Sequence, residues 1–373
     1  MRIALIARRF DPAGGGTERD LIVTAQCLAE AGHEVSVYTA ESRSPQANWP
    51  VVRVGSRWPS PTLQLMRFAW EAPARARRAG ADLVFSFARA VGADILRSGG
   101  GSHGAYLREA RRWRGEWAAA AMRMRPYHRA QMIIERAAYR SPSLRCAIAV
   151  SELVRRQLIV EFGIEESRAV TLYNGVDLER FRPPDPVERE RRRRAFGLDG
   201  SAPALVFAGN GFARKGLGSL IAALPSIRER PWLLVAGTDR SALRYARLAQ
   251  RLGAGSRVRF LGAVTGIERL FQAADAFALP SFFEPFGNVV MEAMACGLGA
   301  VSSARSGVAE LVPPALRPFV VHDPADASEI ALRTAAMLQT GHRLAASARA
   351  VAEAHPWSGY AAGLLKIIDS FRK

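Results

Sequence analysis

Lysine is almost missing from this chain. Of its 52 basic residues only Lys215, Lys366 and Lys373 are lysines, and the others are all arginines. Cysteine is as scarce, with Cys27, Cys146 and Cys296 alone in 373 residues. None belongs to a C-x-x-C pair, so a disulfide framework is excluded and the three read as buried free thiols. No stretch approaches the roughly 18 consecutive apolar residues of a spanning helix. At the amino end the apolar run is Ile3 to Ala7, ended by Arg8 and Arg9. That is shorter than the roughly 7–15 apolar residues of a secretory signal, so a cytoplasmic chain is expected. D-x-D does not occur, and clustered carboxylates of that kind are what a divalent metal needs. A Walker loop, H-E-x-x-H and G-x-S-x-G are also missing, which removes the signatures of ATP hydrolysis, metalloproteases and serine hydrolases.

What is present describes a globular protein. Hydrophobic residues make up 49% and charged residues 23%, and the length suits two domains that each bury a core. The net charge of +18 calls for a polyanionic neighbour or reflects a bias toward arginine. Nucleic acid, a membrane surface and phosphorylated sugars all qualify.

Strands and helices alternate along the chain. Ile3 to Ala7 reads as a buried parallel strand, followed by the loop from Asp11 to Gly16. Thr17 is placed to cap a helix, with Asp20 three residues on, and Gly32 ends that helix. Strands are expected at Val35 to Tyr38, Leu83 to Phe87, Cys146 to Val150 and Ala169 to Tyr173. Ser151 is a good N-cap for the helix starting at Glu152. Pro183, Pro184 and Pro186 mark a linker, and Val187 to Phe196 reads as a solvated charged helix. The alternation then restarts. Strands are expected at Ala204 to Ala208, Trp232 to Ala236, Val258 to Leu261, Ala276 to Leu279 and Ala300 to Ser303. Helices are expected at Leu217 to Leu224 and from Gly287 to Ala295. The fold class is therefore α/β, with two doubly wound, Rossmann-like domains facing a central cleft and a nucleotide-type ligand at the strand C-termini.

Three places could carry chemistry. Gly14-Gly15-Gly16 follows a strand and opens a helix, where bare backbone can approach an anion. It is not G-x-G-x-x-G, because Arg19 holds the last place. Arg214 and Lys215 occupy the matching loop of the second half, and two cations there suit a diphosphate. A lysine at this loop stands out in a chain that otherwise uses arginine. Glu284-Pro285-Phe286-Gly287-Asn288-Val289-Val290-Met291-Glu292 is the sharpest pattern. Amides from Phe286 to Val289, around the start of a helix, could hold phosphate oxygens. Glu292 could accept from ribose hydroxyls and Glu284 from a sugar.

These motifs, with Asn174-Gly175-Val176-Asp177, resemble those of the family-4 retaining glycosyltransferases, above all the two glutamates eight residues apart with Pro-Phe-Gly between them. Within that family the likeness is to enzymes that add glucose to the inner-core heptose of a bacterial lipopolysaccharide. It extends over nearly the whole chain. It implies a GT-B fold of two domains, 1–183 for the acceptor and 184–359 for the donor, with a last helix at 360–373 returning to the first. It implies a nucleotide-sugar donor, UDP-glucose in the first place, with no metal and no other cofactor. Arg214 and Lys215 would then neutralise the leaving diphosphate. Glu292 would bind ribose and Glu284 the sugar, while Gly15 and Gly16 approach from the opposite wall. The stretch from Asp94 to Gly104 resembles the family's central active-site loop, and His103 in it matches a histidine beside the reacting sugar. The relatives carry aspartate where this chain has Gly100, and proline where it has Gly299.

The +18 is unevenly spread. Between Arg97 and Arg145 there are eleven arginines against three acids, interleaved with Tyr106, Trp113, Trp117, Tyr127 and Tyr139. The rest reads as spread thinly. Arginine among interfacial aromatics suits an anionic membrane or a phosphorylated glycolipid, and Arg111, Arg112, Arg114, Arg123 and Arg125 are the expected contacts. A peripheral protein on the inner face of the cell membrane follows, with no nucleic-acid partner expected. Three alternatives stay open at this level. They are a transferase of another glycolipid or polysaccharide pathway, a nucleotide-sugar epimerase, and an arginine-rich nucleic-acid-binding protein.

Overall fold

The computed structural model describes every residue except 12–13, 43–47, 56–59, 199–201 and 372–373. Pro12 and Ala13 of the glycine loop, and the end of the expected last helix, lie outside the described residues. The chain forms two compact units. One comprises 1–111, 116–174 and 357–373, the other 112–115 and 175–356.

The first unit carries seven strands: β1 (Arg2–Phe10), β2 (Glu34–Ser42), β3 (Val51–Arg53), β4 (Leu83–Ser86), β5 (Ile95–Ser98), β6 (Cys146–Ala149) and β7 (Ala169–Thr171). They form one parallel sheet in the order β3-β2-β1-β4-β5-β6-β7. Its helices are α1 (Gly16–Glu30), α2 (Pro61–Arg78), α3 (His103–Glu109), α4 (Arg111–Arg114), α5 (Glu116–Met124), α6 (Pro126–Tyr139) and α7 (Glu152–Phe162), with α4 straddling the division between units. The second unit carries β8 (Ala204–Ala208), β9 (Trp232–Ala236), β10 (Val258–Gly262), β11 (Ala276–Leu279), β12 (Gly299–Ser303) and β13 (Val320–Val321). They form a parallel sheet in the order β10-β9-β8-β11-β12-β13. Its helices are α8 (Pro186–Ala195), α9 (Leu217–Ala223), α10 (Ala242–Arg251), α11 (Ile267–Ala273), α12 (Asn288–Ala295) and α13 (Ala327–Glu353). The last helix, α14 (Trp357–Asp369), belongs to the first unit.

Both orders reverse direction next to the first strand, between β1 and β4 and between β8 and β11. At such a switch point the loops leaving the strand C-termini diverge and open a crevice. Parallel strands are covered on both faces, so they read as continuous apolar runs. Ile3, Leu5, Val37, Phe85 and Ile148 are fully buried in this way, and Leu21 and Leu28 of α1 pack on them. Leu364 and Ile368 of α14 join the same core. Each such side chain contributes roughly 1.5–3 kcal/mol when removed from water, which ties the last helix to the first sheet.

Several expectations are corrected. The first helix is not capped by Thr17. It starts at Gly16 with Gly15 at the N-cap and no side-chain cap. Asp20, expected to support that cap, turns inward to Arg97 of β5, whose Nη2 donates to Asp20 Oδ2 at 2.9 Å. Ile95–Ser98 is a fully buried strand rather than part of a loop. The units divide between Asn174 and Gly175, ahead of the prolines, because Val176 bridges Pro356 and the 175–186 stretch packs with the second unit. The charged helix α8 is only partly solvated: Arg189 and Arg193 both pair with Asp275, at 2.6 and 3.0 Å. Ser151 does cap α7, accepting from the Val154 amide at 3.2 Å. All three cysteines are buried free thiols, and burial pushes the Cys296 thiol up to about 12.

Candidate active site

The second unit gathers charge at its switch point. The loop after β8 is anchored by Phe212, fully buried against Phe207, Tyr245 and Phe260, whose amide donates to Asp239 Oδ2 at 2.9 Å. Gly216 closes the loop at φ +77°, and a Cβ there would stand 2.0 Å from the Pro280 carbonyl oxygen. Only glycine lets this loop lie against the segment leaving β11. The Phe282 amide donates to the Arg214 carbonyl at 2.9 Å, which fixes the two loops to each other.

Arg214, Lys215 and Glu284 meet there. Lys215 Nζ lies 2.7 Å from Glu284 Oε2, and Arg214 Nη1 lies 3.3 Å from the same oxygen. Arg214 Nη1 also donates to the Phe283 carbonyl at 2.6 Å. The Glu284 backbone is clamped as well: its amide donates to the Arg305 carbonyl, and its carbonyl accepts from Gly307. Burial pushes the Glu284 carboxyl up, but Lys215 and Arg214 outweigh burial and hold it below its ordinary value. Two cations against one carboxylate leave a net positive group. Both cations use Oε2, and Oε1 accepts no hydrogen bond among the described residues.

Downstream, Gly287 adopts φ +109° and opens α12 at Asn288, one residue later than expected. A side chain at Gly287 would press on Ser306 Oγ at 3.0 Å, whose hydroxyl donates to the Phe286 carbonyl. The Phe286 side chain is core, so any donor contact there comes from backbone. Val289 is half-buried in the first turn, where helix amides concentrate positive potential. Glu292 is buried on the second turn. The structure thus brings Arg214, Lys215 and Glu284 together at one carboxylate oxygen. Among the described residues no three acidic, histidine or cysteine side chains converge as a metal would require.

In the first unit, Gly15 and Gly16 are exposed at the amino end of α1, beyond β1 at the other switch point. His103 opens α3 instead of lying in a loop, and it is 8% exposed. Its amide donates to both oxygens of Glu135, at 2.9 and 3.1 Å, and Arg89 Nε holds Glu135 Oε1 at 2.7 Å. His103 Nε2 lies 3.0 Å from His128 Nδ1 with the rings stacked. His128, Glu135 and Arg89 escaped sequence reasoning, since each lies far from His103 along the chain. Burial, then the nearby Arg89 charge and His128, pull the His103 value down from 6.5 to about 3. The unfolded chain therefore takes up this proton first as pH falls. Stability from this group is present above pH 6.5 and is lost as pH drops towards 3. His103→Gln is expected to flatten the stability-versus-pH curve inside that window, read by urea unfolding. An unchanged slope would mean His103 does not titrate this way.

The basic segment is heterogeneous. Arg111, Arg112, Arg114, Arg123 and Arg125 are all exposed, but Arg112 and Arg114 count with the second unit and the others with the first. Arg97 is buried, and Arg108 pairs with Glu161, so neither adds to an outward-facing charge. Trp117 is 91% and Met124 68% exposed. No helix among the described residues is long and apolar enough to cross a membrane.

Two family models match this chain. Residues 14–180 match "Glycosyltransferase Family 4" and residues 188–353 match "Glycosyl transferases group 1". This chain belongs to the family-4 glycosyltransferases. It is 34% identical over 214 residues to a D-inositol 3-phosphate glycosyltransferase of Catenulispora acidiphila, covering 53% of this chain and 49% of that protein. The chain spans about half the length of the curated relatives that head the comparison. Solved structures share the fold along the full length. WaaG, a glycosyltransferase involved in lipopolysaccharide biosynthesis, superposes with a TM-score of 0.84 at 22% identity, over 98% of this chain and 99% of that one. Anabaena HepE, solved with UDP-glucose, gives a TM-score of 0.77 at 19% identity, over 99% and 100%. The family's GT-B fold is thus the fold of this chain, with its two Rossmann-like units.

Proposed function

We propose that this protein is a retaining, metal-independent hexosyltransferase. In this reading it moves glucose from UDP-glucose to a phosphorylated glycolipid, a lipopolysaccharide core in the first place. The observation that carries it is the convergence of Arg214 and Lys215 on one oxygen of Glu284 at a strand-C-terminal switch point. The net positive group receives the diphosphate, and Glu284 Oε1 accepts from sugar hydroxyls. Amides at Gly287, Asn288 and Val289 favour phosphate oxygens, and Glu292 accepts from ribose. The likeness to HepE, solved with UDP-glucose, supports the donor class, and the likeness to WaaG supports a role in lipopolysaccharide biosynthesis.

The acceptor hydroxyl attacks the anomeric carbon from the face the diphosphate leaves. The bond from that carbon to the β-phosphate oxygen breaks as the new C–O bond forms. The hydroxyl proton passes to the departing phosphate, so configuration is retained. Charge grows on the diphosphate during this step, and Arg214 and Lys215 stabilise it in place, with no reorganisation. Neutral His103, held by Glu135 and His128, hydrogen-bonds a sugar or acceptor hydroxyl.

Two residues separate the roles. Glu292→Ala is expected to raise the Kd for the nucleotide, read by calorimetry. Glu284→Ala is expected to lower kcat with a smaller change in Kd. If both variants lost only binding, Glu284 would have no part in turnover.

Peripheral attachment to the inner face of an anionic membrane belongs to the same reading, supported by the exposed arginines and Trp117. Anionic vesicles are expected to bind the intact protein. The variant with Arg111, Arg112, Arg114, Arg123 and Arg125 changed to glutamine is expected to bind them less. Equal binding by that variant would assign the surface no such role.

A further inference from the structure

We propose that helix α10 of the second unit is a further docking surface for an anionic phospholipid bilayer. The proposal deepens the membrane reading above with other residues, which adjoin the earlier ones: Arg244 and Arg251 line one cavity with Arg112 and Trp113.

Between Arg240 and Ile267 the sequence has six arginines and no acid. Two are only partly exposed. Arg259 donates to the Phe196 and Gly197 carbonyls, at 2.8 and 3.0 Å, and Arg257 is half-buried. The other four are Arg240, Arg244, Arg247 and Arg251. Steps of four, three and four put them on one face of the helix and the turn before it. All four are exposed, and among the described residues none makes an ion pair or a hydrogen bond through its side chain. Tyr245 and Ala249 bury the opposite face.

On other helices some arginines are matched four residues away: Arg67 with Glu71, Arg194 with Glu190, Arg349 with Glu353. Helix α10 has no carboxylate that could do this. The helix dipole favours Arg251 at the carboxyl end but not the other three. Four cations in one row repel one another, and a surface of phosphates relieves that repulsion more strongly than dilute salt does.

The face also says which anion. Leu243 stands among the arginines with 74% of its surface in water. An apolar side chain flanked by arginines suits the headgroup–acyl boundary, where the leucine enters and the guanidiniums meet phosphates. Single-stranded nucleic acid is held by exposed aromatic rings, and the one aromatic of α10, Tyr245, is buried.

The test uses the intact protein with phosphatidylglycerol–phosphatidylcholine vesicles, and phosphatidylcholine vesicles as control, read by co-sedimentation. Changing Arg240, Arg244, Arg247 and Arg251 together to glutamine is expected to lower partitioning roughly 10²–10³-fold, from the weight of four charges near an anionic surface. Changing the same four to lysine is expected to restore it, and thermal unfolding shows that both variants keep the fold. Leu243→Ser is expected to lower partitioning by less. Unchanged partitioning of the glutamine variant, or a loss that lysine does not rescue, overturns the proposal. So does lost affinity for mixed-sequence RNA with vesicle binding intact. The α4–α5 arginine variant run alongside separates this surface from the earlier one: a loss confined to that variant refutes α10 and leaves the earlier reading standing.

Discussion

Replacing Lys215 by alanine is expected to lower kcat by roughly 10²–10³-fold, the range for removing one preorganised donor from a site of growing negative charge. The Kd for the donor is expected to change less, because the charge on the diphosphate rises as the C–O bond breaks. Lys215 is suited to this. Its stem lies over Gly209, and a Cβ there would meet Lys215 Cδ and Cε at 2.7 Å. Its ammonium ends 2.7 Å from Glu284 Oε2. Steady-state kinetics beside calorimetric Kd values check the split. Unchanged turnover would remove Lys215 from the catalytic role and leave it a partner that steadies Glu284.

The largest effect on stability is expected at Arg97. Its side chain is 1% exposed and that of Asp20 4%, and Asn174 Nδ2 donates to the same Asp20 oxygen at 3.3 Å. Arg97 also lies over the Phe87 ring at 5.2 Å. Nearby, Thr24 Oγ1 and the Tyr360 hydroxyl are 2.8 Å apart, so the cluster links α1, β5 and α14. Arg97→Met leaves Asp20 buried and unmatched, and a loss of about 3–5 kcal/mol is expected on urea unfolding. Adding Asp20→Leu is expected to recover much of it, since the penalty comes from the orphaned charge. A double variant no better than the single one would show that Arg97 acts through packing alone.

This pair also shows where reading the sequence stops. Strands β8, β9 and β11 were legible residue for residue, because both faces of a parallel strand are buried and the runs are apolar throughout. β5 was not, because Arg97 sits inside it and a buried cation in a central strand makes sense only with its partner. That partner is 77 residues away. Asp20 was likewise assigned to a local cap by its spacing from Thr17, and the tertiary pair prevailed. At the site, Arg214, Lys215 and Glu284 were legible as chemistry, but their meeting at one oxygen depends on Gly216 and the switch point. His128 and Glu135 carry no local signal. The arginines of α10 belong to the part of the net charge that reads as spread thinly, and only the structure shows them exposed together on one face.

The central claim is a donor site for a nucleotide sugar in which Arg214 and Lys215 stand in for a metal. Thermal unfolding in EDTA, with UDP-, GDP- and ADP-hexoses compared one by one, tests it most directly. A UDP-hexose is expected to raise the unfolding midpoint most, and Glu292→Ala to reduce that shift. If no nucleotide sugar protects the protein, or protection appears only when a divalent cation is restored, the account is contradicted.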